Sequence, residues 1–455
     1  MASSIPSALR DEVEQQTGSV IVSEKPRGGG GASRQGAEVT LQENDGSKRR
    51  CYLAWDARAG EPSRLAYFER ETAILAALSG PFRNCGIKVA PLIAAFPSHL
   101  ALLSGFVTGN DRFPQAENKF ALAREFISQL AALHRLDAQD AAFAPLGDAN
   151  EPPSRRIRRN LEQWSRDNLE IAMEPIYQLV LTWLARNVPE DQGPPVVLHG
   201  DAGPGNFLFE DGQVSALVDW ELTHLGDPME DLAQIWVRSL IQPFVPMGEV
   251  FAAYAKASGQ TVDMKRVKFH RLYFQLSFSV PSSVIASAEG SKVGATGTAL
   301  MFGTMHKRVM VRSLAELAGI ALDEPELPLS EPDWTDRFFV TALRDLKEEI
   351  VPGAGNQRAA TKAKELARLV KFWRKRAQCG TAFDAEELTE IRRAIPNAPN
   401  ELIPARAALA QAIADGAIEF EGAVQLCYNR MVRETAIMEE AMGALATTWF
   451  EPVFN

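Results

Sequence analysis

The chain has 455 residues, 46% of them hydrophobic and 23% charged, which is typical of a globular protein with two or three structural units. Its formal net charge of −10 argues against nucleic acid as the main partner, because binding to a phosphate backbone relies on a basic surface. The four cysteines form no C-x-x-C pair, and there is neither a secretion signal nor an apolar run of ~18 residues. We therefore expect a cytoplasmic protein with reduced thiols and no membrane span.

The N-terminal part of the sequence predicts a small sheet. We expect strands at 18–22, 37–41 and 49–55 and within the segments IKVAPLIAAF and LALLSGFV. Between the third and fourth of these strands, the segment RLAYFERETAILAAL carries apolar residues at helical spacing. This order favours a mostly antiparallel sheet that carries one helix.

Helices dominate the rest of the chain. Leu122, Phe126 and Leu130 form a helical stripe after Asn118, and a second helix is expected at about 175–187. The segment FLFEDGQVSALVDW predicts a hairpin around a tight Asp-Gly turn. Several helices should follow over 229–318, then a proline-rich linker at 322–333, then helices to the C-terminus.

The stretch VVLHGDAGPGN holds polar residues at the end of an apolar run. His199 and Asp201 follow that run, Asn206 comes after a Gly-Pro-Gly loop, and Asp219 ends the next hairpin. An isolated H-x-D is often only a capped turn. A loop and a hairpin that bring a carboxylate and a carboxamide together, however, offer the oxygen ligands that Mg²⁺ prefers, with water and phosphate completing its shell. Asp201 would then orient a substrate hydroxyl, as phosphoryl transfer requires.

The motif H-G-D-x-x-x-x-N followed by V-D-W-E resembles the aminoglycoside phosphotransferase and choline kinase family of the kinase-like fold. The segment VSALVDWELTHLGDPMEDLA is similar to the branch associated with acyl-CoA dehydrogenases, and the last part of the chain resembles a helical domain of unknown function that accompanies such enzymes. The resemblance implies an α+β, bilobal protein kinase-like fold with an antiparallel-sheet N-lobe, a mainly helical C-lobe and an all-helical C-terminal domain. The expected boundaries are 15–107, 108–320, a linker at 321–333, and 334–455.

The same resemblance assigns roles around the motif. Asp201 would be the catalytic aspartate, while His199 would brace the catalytic loop rather than take part in the chemistry. Asn206 and Asp219 would bind Mg²⁺, with Glu221 either a further metal contact or a structural acceptor. In the segment GDPMEDLA, we expect Asp227 to cap a helix and Asp231 to act as a structural acceptor for the loop.

A glycine-rich segment, RGGGGASRQG, lies between the first two predicted strands, where the family keeps its phosphate-binding loop. Gly-rich hairpin loops without a ligand are also common. The resemblance implies ATP as the cofactor, adenine docking on backbone groups from Ser104 to Phe106, and a phosphate-binding set that also includes a glutamate on the following helix. These expected phosphate-binding residues are Gly28, Gly29, Gly30, Gly31, Ser33, Arg34 and Glu71.

One family position is not occupied as expected. The family has a Lys or Arg on the third strand, paired with the helical glutamate, but here that position is Ala54. Arg34 or another basic residue could replace the missing cation, the register of the third strand could differ, or the protein could be a pseudokinase. Losing one charge-assisted contact to phosphate costs about 1.5–3 kcal/mol, which slows an enzyme without abolishing an intact Mg²⁺ site.

We therefore expect an ATP- and Mg²⁺-dependent phosphotransferase that acts on a hydroxyl group of a small molecule, and the resemblance makes a hydroxyacyl-CoA or related alcohol a candidate. The alternative is a catalytically impaired pseudokinase that acts as a binding or scaffold protein. No nucleic acid or membrane is expected as a partner. Basic residues around an apolar stripe at 362–376 indicate either a solvated helix face or an anion dock. The helical domain is a candidate surface for a homodimer.

Overall fold

The structure, a computed structural model, describes residues 5–27, 34–56, 62–278, 295–328 and 331–453. It divides into two compact units. The first, the sheet unit, takes in Met1–Arg156, Asp191–Val267 and Glu451–Asn455. The second, the helical unit, takes in Ile157–Glu190 and Lys268–Phe450. The boundaries of lobes and linker expected from the sequence remain predictions.

The sheet unit contains a five-stranded sheet and two strand pairs. The strands are β1 (Val20–Arg27), β2 (Gln35–Gln42), β3 (Lys48–Trp55), β4 (Leu92–Phe96), β5 (Ala101–Gly105), β6 (Val196–Leu198), β7 (Phe207–Glu210), β8 (Gln213–Leu217) and β9 (His224–Gly226). The large sheet has the order β1-β2-β3-β5-β4 with every neighbouring pair antiparallel, and β6 pairs with β9 while β7 pairs with β8. The prediction of an antiparallel sheet is confirmed.

The helices account for most of the remaining chain. They are α1 (Ser7–Thr17), α2 (Pro62–Ser79), α3 (Lys119–Leu133), α4 (Pro153–Asp167), α5 (Leu169–Ala172), α6 (Pro175–Arg186), α7 (Pro228–Ser239), α8 (Met247–Ser258), α9 (Met264–Phe278), α10 (Thr296–Ala318), α11 (Asp336–Asp345), α12 (Gln357–Ala394), α13 (Leu402–Asp415) and α14 (Phe420–Met442). A π-helical turn, Leu346–Ile350, follows α11. None of the described helices combines the length and apolar character needed to cross a membrane.

The sheet buries one face because its apolar residues alternate. On β3, Cys51, Leu53 and Trp55 are buried and point to the same side. Leu9 and Val13 of α1 complete this core. Helix α1 was not predicted, because these two residues, one turn apart, are the only apolar signal in an otherwise polar segment.

The helical unit packs around a contiguous apolar core. Residues from several helices are fully buried in it, including Leu179 of α6, Leu314 of α10, Leu409 of α13 and Met431 of α14. The prediction of a helical C-terminal region is confirmed up to the 3-10 turn that ends at Ala446, whereas 447–453 form neither helix nor strand. The segments 321–328 and 331–333 also form neither. Apolar stripes on successive helices thus bury one another, which is how helical domains gain most of their stability.

A buried charge cluster lies within the helical unit. The Nζ atom of Lys307 lies 2.5 Å from Glu434 Oε2, and Arg430 Nε donates to Glu434 Oε1 at 2.9 Å. Arg430 also pairs with Glu174 at 2.5 Å. Although burial opposes the charge of Glu434, Lys307 and Arg430 hold its pKa well below the usual range. The stability from this carboxylate is therefore present at neutral pH and is lost as the pH falls through its folded-state pKa.

We expect Glu434→Gln to lower the free energy of unfolding by about 3 kcal/mol at pH 7, because two buried cations lose their charged partner. Urea unfolding followed by circular dichroism measures the loss. The exposed Glu439→Gln on the same helix is the matched control and should behave as wild type. The difference between Glu434→Gln and wild type should shrink as the pH falls below about 4. A deficit that stays constant down to pH 3 would contradict the ionic explanation.

Candidate active site

The end of β6 and the end of the β7–β8 hairpin meet at the candidate site, and all its residues belong to the sheet unit. We call residues 199–206 the catalytic loop. The backbone N–H of Val218 donates to the carbonyl of Asn206 at 3.0 Å, and His199 Nε2 lies 3.0 Å from the carbonyl of Val218. These bonds place Asp219, the next residue in the chain, beside the catalytic loop. The proximity that the sequence predicted is confirmed.

Asp201 and Asn206 are joined directly. The amide nitrogen of Asn206 donates to both the backbone carbonyl and the carboxylate Oδ2 of Asp201, each at 2.7 Å. Both residues are buried. Since the amide nitrogen is engaged in this way, the amide oxygen Oδ1 is the atom of the Asn206 side chain that could act as a metal ligand.

Asp219 lies at the centre of a group of carboxylates. It is solvent-exposed and adopts the left-handed backbone conformation, with φ of 68°. Desolvation by the surrounding protein, followed by the nearby carboxylates of Glu221, Asp201 and Glu71, raises the pKa of Asp219 to about 7. Among the described residues, no hydrogen-bond donor or ion-pair partner reaches its side chain. A group of mutually repelling oxygen ligands of this kind fits a divalent cation.

This group of acids is not a closed metal cage. Among the residues that the structure describes, no three His, Cys, Asp or Glu side chains are arranged to enclose a metal ion. Mg²⁺, however, commonly takes one or two protein carboxylates and completes its shell with water and substrate phosphate. The chemistry of the donor set therefore fits Mg²⁺ delivered together with a nucleotide better than a resident structural metal.

Glu221 has a cationic partner. Arg64 on α2 donates to Asp56 at 2.6 Å and to Glu221 at 3.3 Å. Although burial opposes its charge, these two acids raise the pKa of Arg64. The sequence left two roles open for Glu221, a metal contact or a structural acceptor, and in the structure it accepts a hydrogen bond from Arg64.

Arg34 forms an ion pair with Glu71. Glu71 is the helical glutamate that the family pairs with a basic residue on the third strand, where this chain has Ala54. Both side chains are largely buried, with 13% and 9% of their surface exposed. Burial raises the pKa of Glu71, and Arg34 offsets part of that rise. Arg34 directly precedes β2, and in the next pairs of the ladder Gln35 faces Trp55 and Gly36 faces Ala54. Arg34 therefore reaches Glu71 from the start of β2, the strand adjacent to β3.

Helix α7 holds the catalytic loop through one of its faces. Asp231, which is fully buried, accepts the backbone N–H groups of His199 and Gly200, each at 2.9 Å. His134 lies 3.0 Å from the same carboxylate. Burial opposes the charge of Asp231, yet these hydrogen bonds hold its pKa below the usual range. One helical turn further, Gln234 accepts the N–H of Ala202 at 3.1 Å.

Two predictions about this segment are confirmed. Asp231 is a structural acceptor for the loop, and Asp227 caps α7 by accepting the N–H of Met229 at 2.9 Å. His199 is fully buried and packs against Trp220, with ring centroids 4.5 Å apart and ring planes tilted by 35°. Burial lowers the pKa of His199. A neutral, buried imidazole that links the loop to Val218 is consistent with the expected bracing role.

Arg238, near the end of α7, was not anticipated from the sequence. Its Nη1 donates to both carboxylate oxygens of Asp201, at 2.7 and 2.8 Å, and its Nη2 donates to Asn206 Oδ1 at 3.0 Å. Its Nε donates to the carbonyl of Pro204 at 3.2 Å. The available signal was the recurrence of polar residues at 231, 234 and 238 of this helix, since this spacing puts all three on one face.

Two glycines of the loop are required by close approaches. Gly200 has φ of +82°, and a Cβ there would lie 1.9 Å from the carbonyl oxygen of Leu222. Gly203 has φ of +147°, and its Cβ would meet Arg238 Cδ at 2.8 Å. The glycines of the G-D-A-G motif therefore let the loop lie directly on α7 and on the segment after Asp219.

The nucleotide-binding residues expected from the sequence are only partly described. Gly28, Gly29, Gly30, Gly31 and Ser33 lie outside the described residues. Ser104 lies in β5, paired with Tyr52 of β3 and Leu92 of β4. The N–H of Phe106 donates to the carbonyl of Arg50 at 3.2 Å, and the Arg50 guanidinium lies 4.2 Å from the centre of the Phe106 ring. Adenine docking at these positions remains a prediction.

We expect Asp231→Asn to loosen the catalytic loop, because an amide cannot accept two backbone N–H groups and the His134 contact as a carboxylate does. Losing charge-assisted hydrogen bonds worth ~1.5–3 kcal/mol should speed amide hydrogen exchange at His199 and Gly200 by about 10- to 100-fold. Mass-spectrometric exchange measures this effect. Glu249→Gln, an exposed change in the first turn of α8, is the control. Unchanged protection at 199–200 would show that Asp231 does not hold the loop.

Parts of the chain are similar to known proteins. Over 142 residues it is 28% identical to acyl-CoA dehydrogenase family member 11 of Homo sapiens, and over 180 residues 27% identical to acyl-CoA dehydrogenase family member 10 of Mus musculus. These matches cover 29% and 36% of this chain but only 17% and 16% of the relatives. The solved structure of macrolide 2'-phosphotransferase MphH from Brachybacterium faecium, an apoenzyme, aligns with a TM-score of 0.47 at 19% identity, covering 64% of this chain and 98% of that chain.

The family itself is established by a longer match. The model of the phosphotransferase enzyme family matches residues 32–270, which is more than half of the chain. The matched range includes the catalytic loop, Asp219 and the whole of α7. The resemblance indicated by H-G-D-x-x-x-x-N is thus confirmed, and the chain belongs to the phosphotransferase enzyme family.

Proposed function

We propose that the protein transfers the γ-phosphoryl group of ATP to a hydroxyl group of a small molecule. The observation that carries the proposal is the direct hydrogen bonding of Asn206 to Asp201 beside the carboxylate of Asp219, which has no ion-pair partner among the described residues. Membership of the phosphotransferase family supports it. The arrangement supplies a carboxylate for the acceptor and separate oxygen ligands for a cation, which is the division that phosphoryl transfer needs.

Each residue has a role in this proposal. Asp201 orients the acceptor hydroxyl and receives its proton, and Asn206 Oδ1 with Asp219 would hold Mg²⁺. The cation would supply neutralisation of the charge on the transferring phosphate groups. His199 and Asp231 keep the loop backbone fixed, so that the reacting groups need little reorganisation.

Arg34 replaces the cation that Ala54 lacks. A phosphate-binding arginine needs an anchor that sets its direction, and the ion pair with Glu71 supplies one. Because Nη1 is the atom in that ion pair, the remaining donors of the guanidinium can serve a phosphate oxygen. The location directly after the glycine-rich segment supports this role. The observation weakens the pseudokinase interpretation, which rested on the absence of any such cation.

For the acceptor we propose a hydroxyacyl-CoA or a related alcohol. Support comes from the relatives that the chain matches, which are acyl-CoA dehydrogenase family members. The segments 235–259 and 269–288 are also aromatic and apolar with few carboxylates, unlike a surface built for a polycation. Since the match spans about a sixth of those relatives, the acceptor stays a proposal for this chain alone.

We expect Asp219→Asn to abolish Mg²⁺-dependent ATP binding, because the variant loses the charged ligand while keeping side-chain volume and backbone preference. Calorimetric titration with ATP, with and without Mg²⁺, should give micromolar affinity in wild type and at least about a tenfold loss in the variant. Asp211→Asn is a closely matched control, since Asp211 is exposed and also has positive φ, at 50°.

The same titration tests the function as a whole. Wild-type binding that requires Mg²⁺ justifies screening alcohols, hydroxy acids and their CoA esters for transfer of labelled γ-phosphate. Absence of ATP binding up to millimolar concentration would overturn the phosphotransferase proposal. The pseudokinase alternative, a binding or scaffold protein without nucleotide, would then be the better account.

The role of Arg34 has its own test. Arg34→Gln should weaken Mg·ATP binding by about 10- to 100-fold, the equivalent of one lost charge-assisted phosphate contact. Arg49→Gln, an exposed arginine on β3, should bind as wild type does. Equal affinities for wild type and Arg34→Gln would show that another residue compensates for Ala54.

A further inference from the structure

The catalytic loop contains no cation of its own. Residues 199–206 read HGDAGPGN, with neither lysine nor arginine. Its positive charge comes instead from Arg238 on α7, whose guanidinium donates four hydrogen bonds, all of them to this loop. A cation that makes every one of its bonds to a single loop is built into the site and is not a surface charge that happens to lie nearby.

These bonds fix the carboxylate of Asp201. One nitrogen, Nη1, lies 2.7 and 2.8 Å from its two oxygens, and the amide of Asn206 approaches one of them at 2.7 Å. Charge-assisted hydrogen bonds of this length are short and directional. Arg238 and Asn206 both donate hydrogen bonds to the carboxylate of Asp201, so the rotation of this carboxylate is restricted. The carboxylate lone pair that would accept from a substrate hydroxyl therefore keeps one orientation.

A second contact of Arg238 conflicts with cation binding. Its Nη2 donates at 3.0 Å to Asn206 Oδ1, the oxygen that the proposed function gives to Mg²⁺. A guanidinium and a divalent cation that share one oxygen repel each other, so Mg²⁺ at Asn206 Oδ1 would weaken the bond from Arg238. The contacts to Asp201 and Pro204 do not involve that oxygen and can persist.

We propose that Arg238 is a positioning residue that orients Asp201 for the acceptor hydroxyl and competes with Mg²⁺ for Asn206 Oδ1. The inference rests on the proposed function, since it assumes that Asn206 is a metal ligand. In the absence of nucleotide, Arg238 holds the two catalytic-loop side chains together. Mg²⁺ held by Asn206 Oδ1 would displace Arg238 from that oxygen, while the contacts of Arg238 to Asp201 would remain.

The competition predicts effects of opposite sign in one variant. Arg238→Gln should lower the Mg²⁺ concentration that gives half-maximal ATP binding by about threefold or more, because the competing charge is gone. At saturating Mg²⁺ it should also slow ATP hydrolysis, the transfer to water, by about tenfold or more, with little change in the KM for ATP. A merely structural role would weaken Mg²⁺ binding and hydrolysis together.

The experiment uses the full-length protein and three variants. Calorimetry at fixed ATP and varied Mg²⁺ gives the half-maximal concentration, and release of labelled phosphate gives the hydrolysis rate. Arg238→Lys keeps the charge and one contact to Asp201, so it should recover part of the rate. Arg124→Gln, an exposed arginine on α3, is the matched control. Circular dichroism establishes that each variant is folded, and Arg238→Lys decides the result if Arg238→Gln is not.

The outcomes separate the two proposals. A half-maximal Mg²⁺ concentration that is unchanged or higher in both Arg238 variants overturns the competition, while the proposed function stands because wild type still binds Mg·ATP. A hydrolysis rate equal to that of wild type overturns the positioning of Asp201. If wild type itself binds no Mg·ATP, the proposed function fails, and this inference fails with it.

Discussion

The candidate active site depends on a buried carboxylate, Asp231, which has no access to solvent and must be fully hydrogen-bonded. It meets that requirement with two consecutive N–H groups of the catalytic loop and the imidazole of His134. The cost of leaving this charge unpaired keeps the loop in one conformation. Gln234 and Arg238 extend the same helix face, so that α7 contacts the loop along its length. The loop is rigid because its partner is a helix.

Three arginines distribute charge around the site. Arg34, Arg64 and Arg238 each pair with acids of the sheet unit, whereas Asp219 has no cationic partner among the described residues. Its raised pKa reflects that difference, because desolvation and the neighbouring carboxylates outweigh the opposing effect of Arg238. Glu71, Asp56, Glu221 and Asp201 are thus ion-paired with these arginines, whereas Asp219 has no such pair in the part of the chain that the structure describes.

The sequence predicted the sheet and the catalytic loop well, because both follow from local patterns. Alternating apolar residues gave the strands, and H-G-D-x-x-x-x-N gave Asp201 and Asn206. The sequence did not reveal Arg238, since its partners lie more than thirty residues away and only the fold brings them together. Helix α1 was not predicted because its segment contains too few apolar residues to show a helical pattern. The sequence could not say which residue, if any, replaces the basic side chain that Ala54 lacks. The pairing of β2 with β3 brings Arg34 to Glu71 and so identifies a candidate.

The contact between Gly203 and Arg238 has a consequence for how such sequences can vary. A glycine in the loop and an arginine on a separate helix fit each other at the level of single atoms. The eight-residue motif is therefore not an autonomous module. Exchanging the motif between relatives should succeed only when the face of α7 is exchanged with it. The loop and the helix would therefore have to change together in evolution, although twenty-one residues of chain separate them.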